Sequence, residues 1–298
     1  MAPAGLSGHP NATACAFPLK GIKVLSFDCY GTLIDWESGI LSSLAPLLSR
    51  LPAEHECARD PRRAVLALNK AAEGMEAARP SLRYDLLMEE SYLELASALG
   101  LGAGGGGGEE EEEEEEEEQE EGARREEEEA REFGRGPGKW EAFPDSAEAL
   151  SKLEGLGLGL VVLSNVDRAN VARTAEVLRP ASFAALLTAE EIGSYKPDRR
   201  NFEYCAKYVK QRLGADYEKG EHVHVARSLT VDHVACKEMG LRSVWISRGG
   251  DTKEGQGVGG DYEELAREGK LGFGWRFDTL GDFARVLEEE MGRGEAER

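Results

Sequence analysis

The chain has 298 residues, long enough for two domains, and a formal net charge of −21 from 57 acidic and 36 basic side chains. Residues 109–132 hold 17 glutamates against three arginines (Arg124, Arg125, Arg131), a local charge of −14, which leaves −7 for everything else. A hydrophobic content of 41% excludes global disorder, no apolar run approaches the ~18 residues of a membrane span, and neither part has the surplus Lys and Arg that nucleic acid demands.

Residues 1–20 read as a flexible leader. They lack the basic start and apolar stretch of a secretion signal, so the acceptor triplet Asn11-Ala12-Thr13 carries no weight. Cys15, Cys29, Cys57, Cys205 and Cys236 are odd in number and scattered, without zinc or disulfide spacing, which points to a reducing, cytoplasmic setting. Residues 22–27 predict a buried strand, followed by the polar turn Asp28-Cys29-Tyr30-Gly31-Thr32. Ile40, Leu41, Leu44, Leu47, Leu48 and Leu51 then form one helical stripe. Asp60-Pro61 starts a second helix that must stop before Pro80, and a third spans 84–99 and ends at Gly100. Residues 35–101 are thus expected to be a helical unit. Residues 102–139 are low in complexity, with glutamates that repel at i,i+4, and are expected to be a disordered Gly/Glu-rich insertion.

Strand and helix signals alternate beyond Trp140. Strands are predicted at 158–163, 186–188, 222–226 and 243–246, and helices at 168–178, 197–213, 231–239 and 278–290, with a glycine-rich loop at 249–260. Such alternation predicts an α/β fold: a Rossmann-like parallel sheet built from 21–34 and 140–298, interrupted after its first strand by the helical unit. Trp36, Trp140 and Trp245 read as packing residues. His222 and His224 share a strand face without a third ligand that would make a zinc site, and His233 reads as structural.

Ligands of such sheets bind beyond the carboxyl ends of the strands. Those ends carry Asp28, Ser164-Asn165, Lys196 and, through Arg227-Ser228, Asp232. Two carboxylates, a hydroxyl, an amide and an ammonium would converge there. A desolvated carboxylate held by an ammonium can attack an electrophile, and Ser164 with the backbone N–H groups after Asp28 can hold an anion.

These residues, in this order, resemble the haloacid dehalogenase-like hydrolase superfamily. The matching segments are Phe27-Asp28-Cys29-Tyr30-Gly31-Thr32-Leu33, Leu163-Ser164-Asn165, Lys196-Pro197-Asp198, and Asp232 before Gly240-Leu241. The resemblance implies that the helical unit is a cap domain. It also implies Asp28 as nucleophile, Thr32 and Ser164 as anion-binding hydroxyls, Lys196 as charge balancer and Asp232 as acidic support, with Tyr30, Asn165 and Arg227 lining a site for a small anionic substrate. Phosphatases of the superfamily carry a second Asp where this chain has Tyr30, and a magnesium-binding Asp where it has Arg227. The chain instead resembles the 2-haloacid dehalogenase subfamily, which needs no metal or cofactor. That subfamily's halide-binding cap arginine has three candidates here, Arg59, Arg62 and Arg63, with Asn69 as an equal occupant. Its tyrosine after the Lys-Pro motif is replaced by Phe202, with Tyr204 close by, and its fourth-motif Ser and Asn by Arg227 and Leu229. A magnesium-dependent phosphatase and a catalytically degraded binding protein stay open as alternatives. Dimers are common in the subfamily, and the oligomeric state stays open.

Overall fold

Six short runs become strands: β1 (Val24–Phe27), β2 (Gly159–Ser164), β3 (Ala185–Thr188), β4 (His222–Ala226), β5 (Ser243–Ile246) and β6 (Trp275–Phe277). The computed structural model describes residues 9–102, 112–249 and 259–296. All strand pairs are parallel, in the order β3-β2-β1-β4-β5-β6. Period-two alternation sends Leu25, Phe27, Val223 and Val225 into the larger core, and Val24, Val161 and Leu163 into a smaller one on the other face. Burial on both faces is why these strands read as nearly continuous apolar runs. The strand β6 escaped prediction because it is three residues long and carries Arg276, whose guanidinium lies 4.5 Å over the Trp245 ring.

Helices α1 (Trp36–Leu48), α2 (Glu56–Arg59), α3 (Arg62–Ala78), α4 (Tyr84–Ala98) and α5 (Glu112–Gly134) separate β1 from β2. Around the sheet lie α6 (Ser146–Gly155), α7 (Arg168–Val177), α8 (Ala189–Ile192), α9 (Arg199–Tyr208), α10 (Val234–Met239), α11 (Tyr262–Arg267) and α12 (Leu280–Ala296). Asp35 caps α1 by accepting from Ser38 N; of the predicted stripe, Ile40, Leu44, Leu47 and Leu48 are buried in the helix, and Leu41 is partly buried. No helix among the described residues is long and apolar enough to cross a membrane.

Two expectations are corrected. The Gly/Glu-rich stretch is not disordered over its described part: α5 and a 3₁₀ turn (Gly136–Lys139) take it up, while residues 103–111 lie outside the described residues. The glutamates repel one another less than the composition suggests. Arg124 pairs with Glu120 at 2.8 Å and Arg131 with Glu127 at 2.7 Å along the helix. Arg50, just past the first helix, reaches Glu129, and Tyr92 donates to the same carboxylate at 3.1 Å. The tract also carries apolar anchors at its end, Ala130 and Phe133, both buried, with Phe133 5.1 Å from the Tyr92 ring. Gly134 lets the helix end approach the start of α4, since a Cβ there would lie 2.3 Å from Asp85 O.

The leader is the second correction. Residues 1–8 lie outside the described residues, but 9–20 are docked rather than loose. Arg276 N donates to Asn11 O and Thr13 N to Gly274 O, each at 2.9 Å, and Trp275 Nε1 donates to Phe17 O. The segment covers the open edge of β6, a place where unpaired backbone groups need partners. The loop expected at 249–260 falls largely outside the described residues.

Phe133→Ala is expected to destabilise the protein by about 3–5 kcal/mol in urea unfolding, because it empties the anchor of α5. Glu121→Ala, on the exposed side, should change stability by less than about 0.5 kcal/mol. Equal and negligible effects would mean that α5 is not packed.

Candidate active site

β1 delivers Asp28 to the carboxyl edge of the sheet, beside the β4 end, where the strand order diverges on either side of β1. The turn that follows requires Gly31, whose φ is +96° and whose Cβ would meet the Trp36 ring at 3.1 Å. Arg248, beyond β5, grips this turn by donating to Thr32 O at 3.2 Å through Nε, and its guanidinium pairs with Asp145 at 2.5 Å. Arg248 escaped the sequence reading, because a lone arginine before glycines has no local signature.

Four of the expected residues form one hydrogen-bonded cluster. Lys196 Nζ donates to Asp28 Oδ1 at 2.8 Å and to Asp232 Oδ1 at 2.7 Å, and Thr32 Oγ1 donates to Asp28 Oδ2 at 2.7 Å. Arg227 N donates to the same Thr32 hydroxyl at 2.9 Å, which ties the β4 end to the Asp28 turn. Lys196 is 1% exposed and Asp232 fully buried, so the charges meet with little solvent screening. The Lys196–Pro197 peptide is cis, and α9 starts only at Arg199, two residues later than Pro197 suggested.

The two carboxyls are driven apart. Burial raises the Asp28 carboxyl above its ordinary value, and the Asp232 charge adds to that; Lys196 opposes both without cancelling them. Burial also penalises Asp232, but Lys196 and His224 outweigh it and hold that carboxyl well below the usual range. Lys196 stays protonated, because the two carboxylates outweigh its own desolvation.

The remaining expected residues lie around this cluster in different ways. Ser164 is buried at the end of β2 and its Oγ accepts from Val166 N at 3.1 Å. Asn165 grips the backbone of Lys196 on both sides, Oδ1 accepting from Lys196 N at 2.7 Å and Nδ2 donating to Lys196 O at 3.1 Å. Tyr30 turns away: its hydroxyl is 2.7 Å from Thr174 Oγ1 and its ring meets Trp140 edge-on, while burial pushes the phenol well above its ordinary value. The Arg227 side chain is buried over the turn, with its Nε free of any hydrogen-bond partner. Glu37, at the start of α1, faces it: burial raises the Glu37 carboxyl, and Arg227 and then Arg62 counter this in part. Of the three candidate arginines, Arg63 is paired with Glu56, and Arg62 is the one whose charge reaches Glu37. Phe202 is buried against His224, and Tyr204 donates outward to Glu191.

Magnesium takes hard oxygen ligands in near-octahedral array. Here both Asp28 oxygens and Asp232 Oδ1 are engaged by donors, and an ammonium occupies the space between the carboxylates. Among the described residues no three His, Cys, Asp or Glu side chains converge to hold a metal. The residues present do not fit a divalent cation.

The family model for haloacid dehalogenase-like hydrolases matches residues 22–223, and the chain belongs to that family of hydrolases. A stretch of 125 residues is 31% identical to haloacid dehalogenase-like hydrolase domain-containing protein 3 of Danio rerio, covering 41% of this chain. The match spans under half, 46%, of that relative's length. Among solved structures, the fold is similar to the L-2-haloacid dehalogenase of Xanthobacter autotrophicus, with TM-score 0.59, 18% identity, and 90% of this chain and 98% of that one covered. It is equally similar to the HAD-hydrolase YfnB of Bacillus subtilis bound to magnesium, with TM-score 0.61, 16% identity, and 90% and 100% covered.

Lys196→Met should destabilise the protein by about 3–5 kcal/mol at neutral pH, because it strands two buried carboxylates without a counter-charge. Without the ammonium their folded pKa values rise above the unfolded ones. The penalty is therefore largest above the raised values and fades as pH falls towards about 4, where both states bind the proton. Urea midpoints measured across pH check this; a penalty that stayed constant with pH would contradict it.

Proposed function

We propose that the protein is a metal-independent hydrolase of the 2-haloacid dehalogenase type, with Asp28 as nucleophile and Lys196 and Asp232 as the other catalytic groups. The observation that carries the reading is the single ammonium shared by Asp28 and Asp232, at 2.8 and 2.7 Å, where a metal-dependent site would need open oxygen ligands. Tyr30 supports it as well. Two residues beyond the nucleophile stands a neutral phenol bonded to Thr174, not a carboxylate able to protonate a leaving phosphate ester.

In the first step, Asp28 attacks C2 of a 2-haloalkanoate and the carbon–halogen bond breaks, giving an ester and halide. Lys196 keeps the nucleophile ionised in its desolvated setting. Arg227, Ser164 and the N–H groups after Asp28 hold the substrate carboxylate, and Arg62 is the cation best placed for the halide. In the second step, water attacks the ester carbonyl beside Asp232. Thr32 and Asn165 act by positioning: Thr32 aims Asp28, and Asn165 aims Lys196.

Halide release from 2-chloropropionate in the presence of EDTA tests the reading. The wild type should turn over with chelator present, and Asp28→Asn should lose at least about 10³-fold. Magnesium-dependent phosphate release from an aryl phosphate, with no halide released, would sink it. The pH dependence is a second check. The nucleophile must be ionised and its pKa is raised, so kcat/KM should fall on acidification with a midpoint above the ordinary ~4 of an aspartate.

A further inference from the structure

β1 and β4 pair in register, Val24 opposite His222 and Ser26 opposite His224. Period two places Ser26, His222 and His224 on the face of the smaller core, and all three are buried. They form a hydrogen-bonded line that ends at the candidate site. His222 Nε2 lies 2.8 Å from Ser26 Oγ, Ser26 Oγ lies 2.9 Å from His224 Nδ1, and His224 Nε2 lies 3.1 Å from Asp232 Oδ1. The Phe202 ring meets His224 edge-on at 5.6 Å and limits its rotation.

The polarity of the line follows from its end. Asp232 is a carboxylate beside Lys196 and can only accept, so His224 Nε2 carries the proton. With His224 neutral, its Nδ1 accepts from the Ser26 hydroxyl, and Ser26 in turn accepts from His222 Nε2–H. His222 Nδ1 is then a bare lone pair, in keeping with its lack of a partner. Burial holds the His222 imidazole neutral, lowered to about 3, and the Cys205 thiol also lies against Ser26.

The other end has one loose atom. In the Asp28–Lys196–Asp232 cluster, both Asp28 oxygens and Asp232 Oδ1 are engaged, whereas Asp232 Oδ2 is buried without a hydrogen-bond partner. We infer that His224 is a positioning residue for ester hydrolysis: as the Nε2–H tautomer it pins Asp232 through Oδ1 and leaves Oδ2 as the base. The inference rests on the ester intermediate proposed above. Water attacks the ester carbonyl and gives one proton to Oδ2. That proton passes to the departing alkoxide, forming the 2-hydroxy acid, and the second proton leaves to solvent as the Asp28 carboxylate returns.

Two measurements on the full chain test it. With 15N-labelled histidine, NMR should report His224 as neutral and protonated at Nε2, its signal assigned by its loss in His224→Gln. An Nδ1–H tautomer or an imidazolium overturns the inference. In single turnovers with 2-chloropropionate, His224→Met should slow ester hydrolysis about 10²-fold more than halide release. The Asp28 adduct should then accumulate in the intact mass, and His224→Gln, which keeps an N–H donor, should recover most of the rate. Equal slowing of both steps, or equal loss in the Met and Gln variants, marks a merely structural role and overturns the inference. If His224→Met does not fold, Ser26→Ala replaces it; adduct accumulation is again expected, and its absence is contrary. No halide from the wild type would refute the dehalogenase reading alone, and the NMR result then decides the His224 tautomer by itself.

Discussion

Everything near the site depends on one ammonium buried between two carboxylates. Taking three charges out of water costs several kcal/mol each before they are paired. The cluster stands only because Lys196 comes within 2.8 Å of both Asp28 and Asp232 and their hydrogen-bonding capacity is nearly filled. That demand reaches outward into the fold. The β1 end, the β4 end and the loop after β3 must terminate at one point, and the parallel order with β1 at its middle does this. Asn165 then fixes Lys196 by its backbone, and Thr32 joins the Asp28 turn to the β4 end.

The same cluster divides labour between like groups. Asp28 is penalised by burial and by its neighbour, while Asp232 takes donors from both Lys196 and His224. Two carboxyls in one site thus acquire different proton affinities, because their environments differ. The helical unit adds the outer wall. Its first helix sets Glu37 opposite Arg227, so the buried guanidinium has a carboxyl partner across the turn.

Much of this was legible in the linear text. The alternation of strands and helices, the insertion after the first strand, and the order Asp28, Ser164, Lys196, Asp232 are all local or sequential signals. Strand alternation even put His222 and His224 on one face. It could not say that Ser26 lies beside them, since that depends on the register of β1 against β4. Over its described part, 112–139, the reading of the Gly/Glu-rich stretch failed for a related reason. Composition averaged over the tract hid Ala130 and Phe133, and a helix with few apolar residues packs or not according to what stands opposite, here Tyr92 and Arg50. Tyr30 lies two residues after Asp28, and its hydroxyl faces Thr174, a direction no spacing encodes.

By itself the sequence determined the class of fold and the chemical identity of the groups at its strand ends, because backbone propensity and hydrophobic period act over a few residues. Tertiary structure alone decided which groups touch: that Lys196 serves both aspartates, that Asn165 holds Lys196, that Arg248 grips the turn, and that a line of buried imidazoles ends at Asp232. Those contacts join residues up to 216 positions apart in the chain. Their energies depend on burial and on ångström-scale distance, and both exist only once the sheet has closed its register.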